Sequence, residues 1–164
     1  MAFETLHHMK NMKSGCQGHM AMKLDMSKAY DRVEWSFLKG IMLKLGFHHT
    51  WVSLVMSCVR TVSYSVLING EPKGFFYPSK GLHQGDPISP YLFLLCAEGL
   101  NALLARASKT KTIQGLSISR GGPKLTHLFF ANDSVLFCRA NMQECNAIMD
   151  ILKKYEKASE QQVN

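Results

Sequence analysis

The chain has 164 residues, 46% of them hydrophobic and 19% charged, which excludes an intrinsically disordered chain and suits one domain with a buried core. Lysine and arginine outnumber acids 19 to 12, and the net charge of +7 favours polyanionic partners without naming one. The longest apolar run, YLFLLCA, is far short of the roughly 20 residues a membrane helix needs, so no membrane span is expected.

In chain order, residues 1–18 are polar, with scattered His, Lys and Met, and carry no periodicity that assigns structure. HMAMKLDM, residues 19–26, alternates Met20, Met22 and Leu24 against Ala21, Lys23 and Asp25, the period of a strand. Val33, Phe37, Leu38, Ile41 and Leu45 keep helical spacing, with Gly46 placed as a stop. A second helix is expected over Thr50–Arg60. YSVLINGEPKGFFY reads as a hairpin turning at Asn69-Gly70. ISPYLFLLCAEGLNALLARA reads as a long helix with Ser89 as its cap and Pro90 in its first turn. KLTHLFFANDSVLFCRA is a second hairpin, and Asn141 with Glu144 open an amphipathic helix through Ile148, Leu152 and Tyr155 in the manner of a capping box.

The order strand, helix, helix, hairpin, helix, hairpin, helix predicts a single α+β domain with a mostly antiparallel sheet and helices on one face. The other sheet face is then free for a partner. Asp25 ends the first strand, and Asn132-Asp133 form the tip of the later hairpin. If those strands are neighbours, the acids converge, and converging carboxylates repel unless a divalent cation neutralises them. Two such ions, roughly 3.5–4 Å apart, are a phosphoryl-transfer device. The residues alone favour a second reading, a solvated strand end and an Asx-stabilised turn.

Three segments, LDMSKAYDRVEWSFL, GLHQGDPISPYLFLL and FFANDSVLF, occur in this order and together resemble three motifs of reverse transcriptases. The wording is most similar to LINE-type (non-long-terminal-repeat) retrotransposon polymerases, particularly plant forms, over nearly the whole chain. The resemblance implies a polymerase palm and carries roles onto individual positions. Asp25 corresponds to the first metal-binding aspartate, with the Met26 backbone carbonyl joining the nucleotide-side ion, and Asp133 to a later metal-binding aspartate. Tyr30 corresponds to the aromatic gate that crowds a ribose 2′-hydroxyl. Gly81 and Gly85 would let the backbone approach template and nucleotide, and Gln84 would contact the nucleotide. Magnesium or manganese, an RNA template, a DNA primer or duplex and a deoxynucleoside triphosphate are the implied cofactors and partners; no specific protein partner is implied.

One position departs from the family. Where reverse transcriptases carry two adjacent aspartates, this chain has Asn132 before Asp133. An amide oxygen still ligates a hard cation but carries no charge. At an effective dielectric near 20, one unit charge about 4 Å from another contributes roughly 4 kcal/mol, enough for roughly a thousandfold in rate. Glu160 stands where the family has Gly. Fingers are expected to be largely missing before Asp25, and the thumb absent after ASEQQVN, which together imply a partial, impaired polymerase domain. A non-catalytic nucleic-acid-binding remnant and a maturase-type palm are the alternatives.

The remaining polar residues carry no site of their own. His7, His8, His48 and His49 lack ligand spacing, and Cys16 with His19 are too few for zinc. Lys153, Lys154 and Lys157 suit a solvated helix face. Five cysteines (Cys16, Cys58, Cys96, Cys138, Cys145), three of them inside apolar runs, and the lack of an apolar signal core in MAFETLHHMK lead to an expected nuclear or cytoplasmic, reducing location.

Overall fold

A computed structural model describes residues 7, 9, 18–117, 122–130 and 133–163, with the main chain alone at 130 and 133. Its centre is a four-stranded antiparallel sheet in the order β6-β7-β1-β8. The two long strands are β1 (His19–Ser27) and β7 (Asp133–Arg139); β6 (His127–Phe130) and the two-residue β8 (Gln162–Val163) flank them. Strand alternation sets the two faces. Leu24 and Met26 are buried on one side of β1, Met20 and Met22 pack beside them, and Lys23 and Asp25 are exposed on the other. In β7, Ser134, Leu136 and Cys138 complete the inner face.

Four helices, α1 (Trp35–Lys44), α2 (His49–Arg60), α3 (Ser89–Lys109) and α4 (Met142–Ser159), share one core with that inner face. In α2 the spacing of Val52, Met56 and Val59 supplies a narrow buried stripe, and Trp51 stacks on Phe47 outside it. In α3 the stripe Leu92, Phe93, Cys96, Leu100, Leu104 runs the length of the helix. Tyr155 of α4 meets Phe37 of α1 edge-on, with centroids 5.8 Å apart. Each buried Leu or Phe on these stripes contributes about 1.5–3 kcal/mol by leaving water.

The hairpin β2 (Tyr64–Ile68) and β3 (Glu71–Phe76) turns at Asn69-Gly70, both with positive φ, as a tight primed turn demands. At the start of α4, Asn141 Oδ1 accepts from the Glu144 N–H at 2.8 Å. The reciprocal arm of a capping box is redirected: the buried Glu144 carboxylate accepts from the Gln114 and Arg139 backbone N–H groups, both at 3.0 Å.

Three expectations are corrected. Ser89 is the first residue of α3 rather than its cap; the entry is shaped by Asp86, whose Oδ1 accepts from the Ile88 N–H and whose carbonyl accepts from the Ser89 N–H. The far face of the sheet is not open throughout: Phe137, which alternation directs there, is fully buried, and β4 (Leu116–Ser117), paired with β5 (Lys124–Leu125), lies against β7. The cysteines divide, with Cys96 and Cys138 buried and Cys58 exposed. Burial alone pushes the Cys96 thiol up to about 12. Among the described residues no helix is long and apolar enough to cross a membrane.

Candidate active site

The register of β1 against β7 pairs Asp25 directly with Asp133. Directly opposed residues of an antiparallel pair have Cα atoms about 4.5–5.5 Å apart and share a face. That face is the one on which Lys23 and Asp25 are exposed, away from the helices. Asn132 lies outside the described residues. Among the described residues no third histidine, cysteine or acid joins a metal-holding group. Two carboxylate-bearing positions at the ends of adjacent strands supply hard oxygen donors, the kind Mg²⁺ and Mn²⁺ take. Met26, the next residue, pairs with Val163 of β8, so the strand end is fixed from both sides.

Immediately after β1 the chain makes a turn with Lys28 at positive φ. Tyr30, half-buried in this turn, lays its ring on Phe93 of α3, 4.9 Å between centroids and 17° from parallel. The segment GLHQGDP is strapped onto the same turn. Gly81 N–H donates to the Val33 carbonyl at 2.8 Å, Leu82 N–H donates to the Tyr30 carbonyl at 2.9 Å, and Trp35 Nε1 donates to the Gly81 carbonyl at 2.8 Å. Thus three hydrogen bonds tie the Tyr30 turn to the loop.

The two loop glycines differ. Gly81 has φ +91°, and a Cβ there would sit 2.8 Å from the Asp31 carbonyl oxygen, so its bareness serves contact with the protein's own backbone. Gly85 has φ +99° with nothing within 4 Å of a Cβ position, so its bare side is open to an incoming molecule. Gln84 is exposed and lines a cavity of about 260 Å³ with Asp31, Phe76 and His83. His83 in turn shares a hydrogen bond of 3.1 Å with the Tyr64 hydroxyl.

A second set of residues holds the turn from below. Gln161 is buried, and its Nε2 donates to the Ala29 carbonyl at 3.0 Å while its Oε1 accepts from the Tyr155 hydroxyl. Glu160, the α4 cap, adopts positive φ, the conformation for which glycine is the usual choice. Its carboxylate accepts from Lys80 at 3.0 Å, and the Lys80 hydrogen bond and charge hold Glu160 below the usual carboxylate value. Trp35 and Phe93 lie inside the quoted motif segments but were given no role there, and Gln161 lies outside them. A half-buried Trp with one donor, preceding a glycine-rich loop, is a signal that could have been read; Gln161 offers none.

The family model for reverse transcriptase (RNA-dependent DNA polymerase) matches residues 1–164. A mitochondrial protein of Arabidopsis thaliana, uncharacterised, is 48% identical over 68 residues, which are 42% of this chain and 56% of that protein. The Pol polyprotein of the type-1 retrotransposable element R2 of Popillia japonica is 26% identical over 79% of this chain. The transposon TX1 149 kDa protein of Xenopus laevis is 25% identical over 87% of it. The chain spans about half of the Arabidopsis protein's length (56%) and 20% and 10% of the two transposon proteins. Among solved structures, telomerase from Candida albicans superposes with a TM-score of 0.69 at 13% identity, over 99% of this chain and 28% of that one, which shows a shared fold. Apo telomerase from Candida tropicalis, truncated from its C-terminal domain, gives 0.62 at 17% identity over 98% of this chain and 32% of that one. With its motifs in register and its fold shared, this chain belongs to the reverse transcriptase family, in the company of retrotransposable-element proteins.

Proposed function

We propose that the chain is the palm of a LINE-type retrotransposon reverse transcriptase that still holds a nucleic-acid duplex but is impaired in nucleotidyl transfer. The observation that carries this reading is the pairing of Asp25 with Asp133 at the solvent-facing end of two adjacent strands. In this reading Asp25, the Met26 carbonyl and Asp133 hold Mg²⁺ or Mn²⁺, which when bound supplies charge to activate a primer 3′-hydroxyl and to stabilise the leaving pyrophosphate. Tyr30 bounds the sugar of a deoxynucleoside triphosphate, its ring fixed by Phe93. Gln84 contacts that nucleotide, and Gly85 gives its backbone room. Gly81 fixes the loop rather than meeting the ligand itself. Asn132 removes one anionic ligand, which lowers cation affinity and rate together.

The net charge of +7 supports the binding half of the proposal, since phosphates are met by lysine and arginine in exchange for released counterions. RNA template and DNA primer are the partners this implies, without base readout by the chain.

Mn²⁺ titration by calorimetry on the parent, Asn132→Asp and Asp25→Ala tests the reading, with primer extension run on the same preparations. Asn132→Asp is expected to tighten Mn²⁺ binding by tenfold or more, roughly the 1.4 kcal/mol that one decade represents. Asp25→Ala should abolish that gain. Equal affinity in all three proteins would mean that these positions do not form one metal site, and strong extension by the parent would overturn the impairment.

A further inference from the structure

On the helix side of the sheet, directly behind the acid-bearing strand ends, lies a cavity of about 280 Å³ between α3 and strands β1, β6 and β7. Its wall is aromatic: Phe93, Phe129 and Tyr155 line it, with Met26 as the flexible contact. None of these rings is spare. Phe93 already carries Tyr30 on its surface, and the Tyr155 hydroxyl is engaged by Gln161 and the Cys96 carbonyl. What remains toward the cavity is apolar ring surface. An apolar cavity of roughly 150 Å³ already takes up a single benzene ring, so this one has room for two fused rings.

Two polar groups interrupt the apolar wall. Ser134, 3% exposed, lines the cavity and puts a hydroxyl-bearing residue in its wall. At the mouth stands the exposed Glu98, whose Oε2 accepts from Asn101 Nδ2 at 2.8 Å, which holds the carboxylate beside the opening. An aromatic wall and a carboxylate at the rim together select a planar ring system bearing a cation.

We propose that this cavity is a binding site for a small aromatic amine, its ring system seated among Phe93, Phe129 and Tyr155 and its ammonium group on Glu98. The site is separate from the acid face, on the opposite side of the same two strands. Because Met26 and Ser134 follow Asp25 and Asp133 in sequence, a guest here presses on the strand ends that carry the acids.

Tryptamine is a suitable probe, with neutral indole as the control for charge. Titrated into the purified chain, tryptamine is expected to bind saturably at millimolar concentration or below and to raise the melting temperature. Ala97→Phe, which fills the cavity from α3, should weaken tryptamine at least tenfold while the protein still melts cooperatively. Glu98→Gln should weaken tryptamine at least threefold and leave indole unchanged. A readout independent of any variant is the methyl spectrum of the chain labelled at its methionines: among ten, Met26 is the one expected to shift first. Absence of saturable binding to the parent, unaltered binding to a folded Ala97→Phe protein, or a shift confined to other methionines would each overturn the proposal.

Discussion

The pair β1–β7 and the hairpin β2–β3 are both antiparallel ladders rich in apolar residues, yet they are held in different ways. Every second residue of β1 and β7 is pressed against helices, and Leu136, Phe137 and Cys138 are fully buried. The hairpin offers as much apolar surface and buries almost none of it: Leu67 is 69% exposed, Phe75 77% and Tyr77 73%. In the first pair, register follows from which side chains meet the core. In the hairpin, register follows from the Asn69-Gly70 turn and the Tyr64–Phe76 stack at its base. The placement of Asp25 opposite Asp133 can rest on the first kind of ladder because a one-residue slip there would turn Asp25 inward. The second kind carries a bulge between Tyr64 and Val66, where two residues oppose one across the ladder.

The largest expected contrast is in stability. Leu136→Ala in β7 should cost about 2–5 kcal/mol in urea denaturation, the range for truncating a fully buried leucine. Leu67→Ala in the hairpin should stay within about 0.5 kcal/mol, as surface changes do. Similar losses at both positions would mean that the hairpin is packed against something in solution and that the contrast is false.

A smaller contrast separates the loop glycines beside the acid face. Both have positive φ, so either alanine bears roughly 1–2 kcal/mol of backbone strain. Gly81→Ala also drives a methyl into the Asp31 carbonyl oxygen and should exceed Gly85→Ala by at least about 1 kcal/mol, since that close approach falls on backbone rather than on a yielding side chain. Denaturant midpoints measured side by side would show it; equal costs would break the assignment of Gly81 to the turn and Gly85 to an open approach.

The smallest effect is electrostatic and lies at the far end of the same turn. The Glu160 carboxyl is held below its ordinary value of 4.5 by Lys80, so its contribution is complete above that value and fades as pH falls through the lowered one. Lys80→Met should therefore flatten the acid side of the melting profile, with a small loss present at neutral pH that vanishes at low pH, small because both partners are exposed. A profile identical to the parent's at low salt would show that the pair contributes nothing.

Much of this was legible in the chain. Alternation in HMAMKLDM, the Asn-Gly turn and the Asn141–Glu144 spacing each gave an element that the fold contains, because each signal is local and physical. Two-residue ladders such as β4–β5 and β8 leave no periodicity to read. Ser89 was misplaced because an Asx turn at Asp86 competes with a serine cap, and the sequence carries both signals. Asp25 and Asp133 could be named from motif order, but their opposition depends on a register that only the packed sheet enforces. The difference between Gly81 and Gly85 was invisible, since both fit a flexible loop until Asp31 is placed beside one of them.

The hydrogen bond from Gln161 to the Ala29 carbonyl joins residues 132 positions apart. Its consequence concerns timing rather than strength. On a ribosome the turn that carries Tyr30 emerges well before the side chain that satisfies its buried carbonyl, which is made 132 residues later. High contact order of this kind delays closure of the turn until α4 has docked. The acid face is therefore completed late, and a nascent chain halted before Gln161 would display β1 without a finished site.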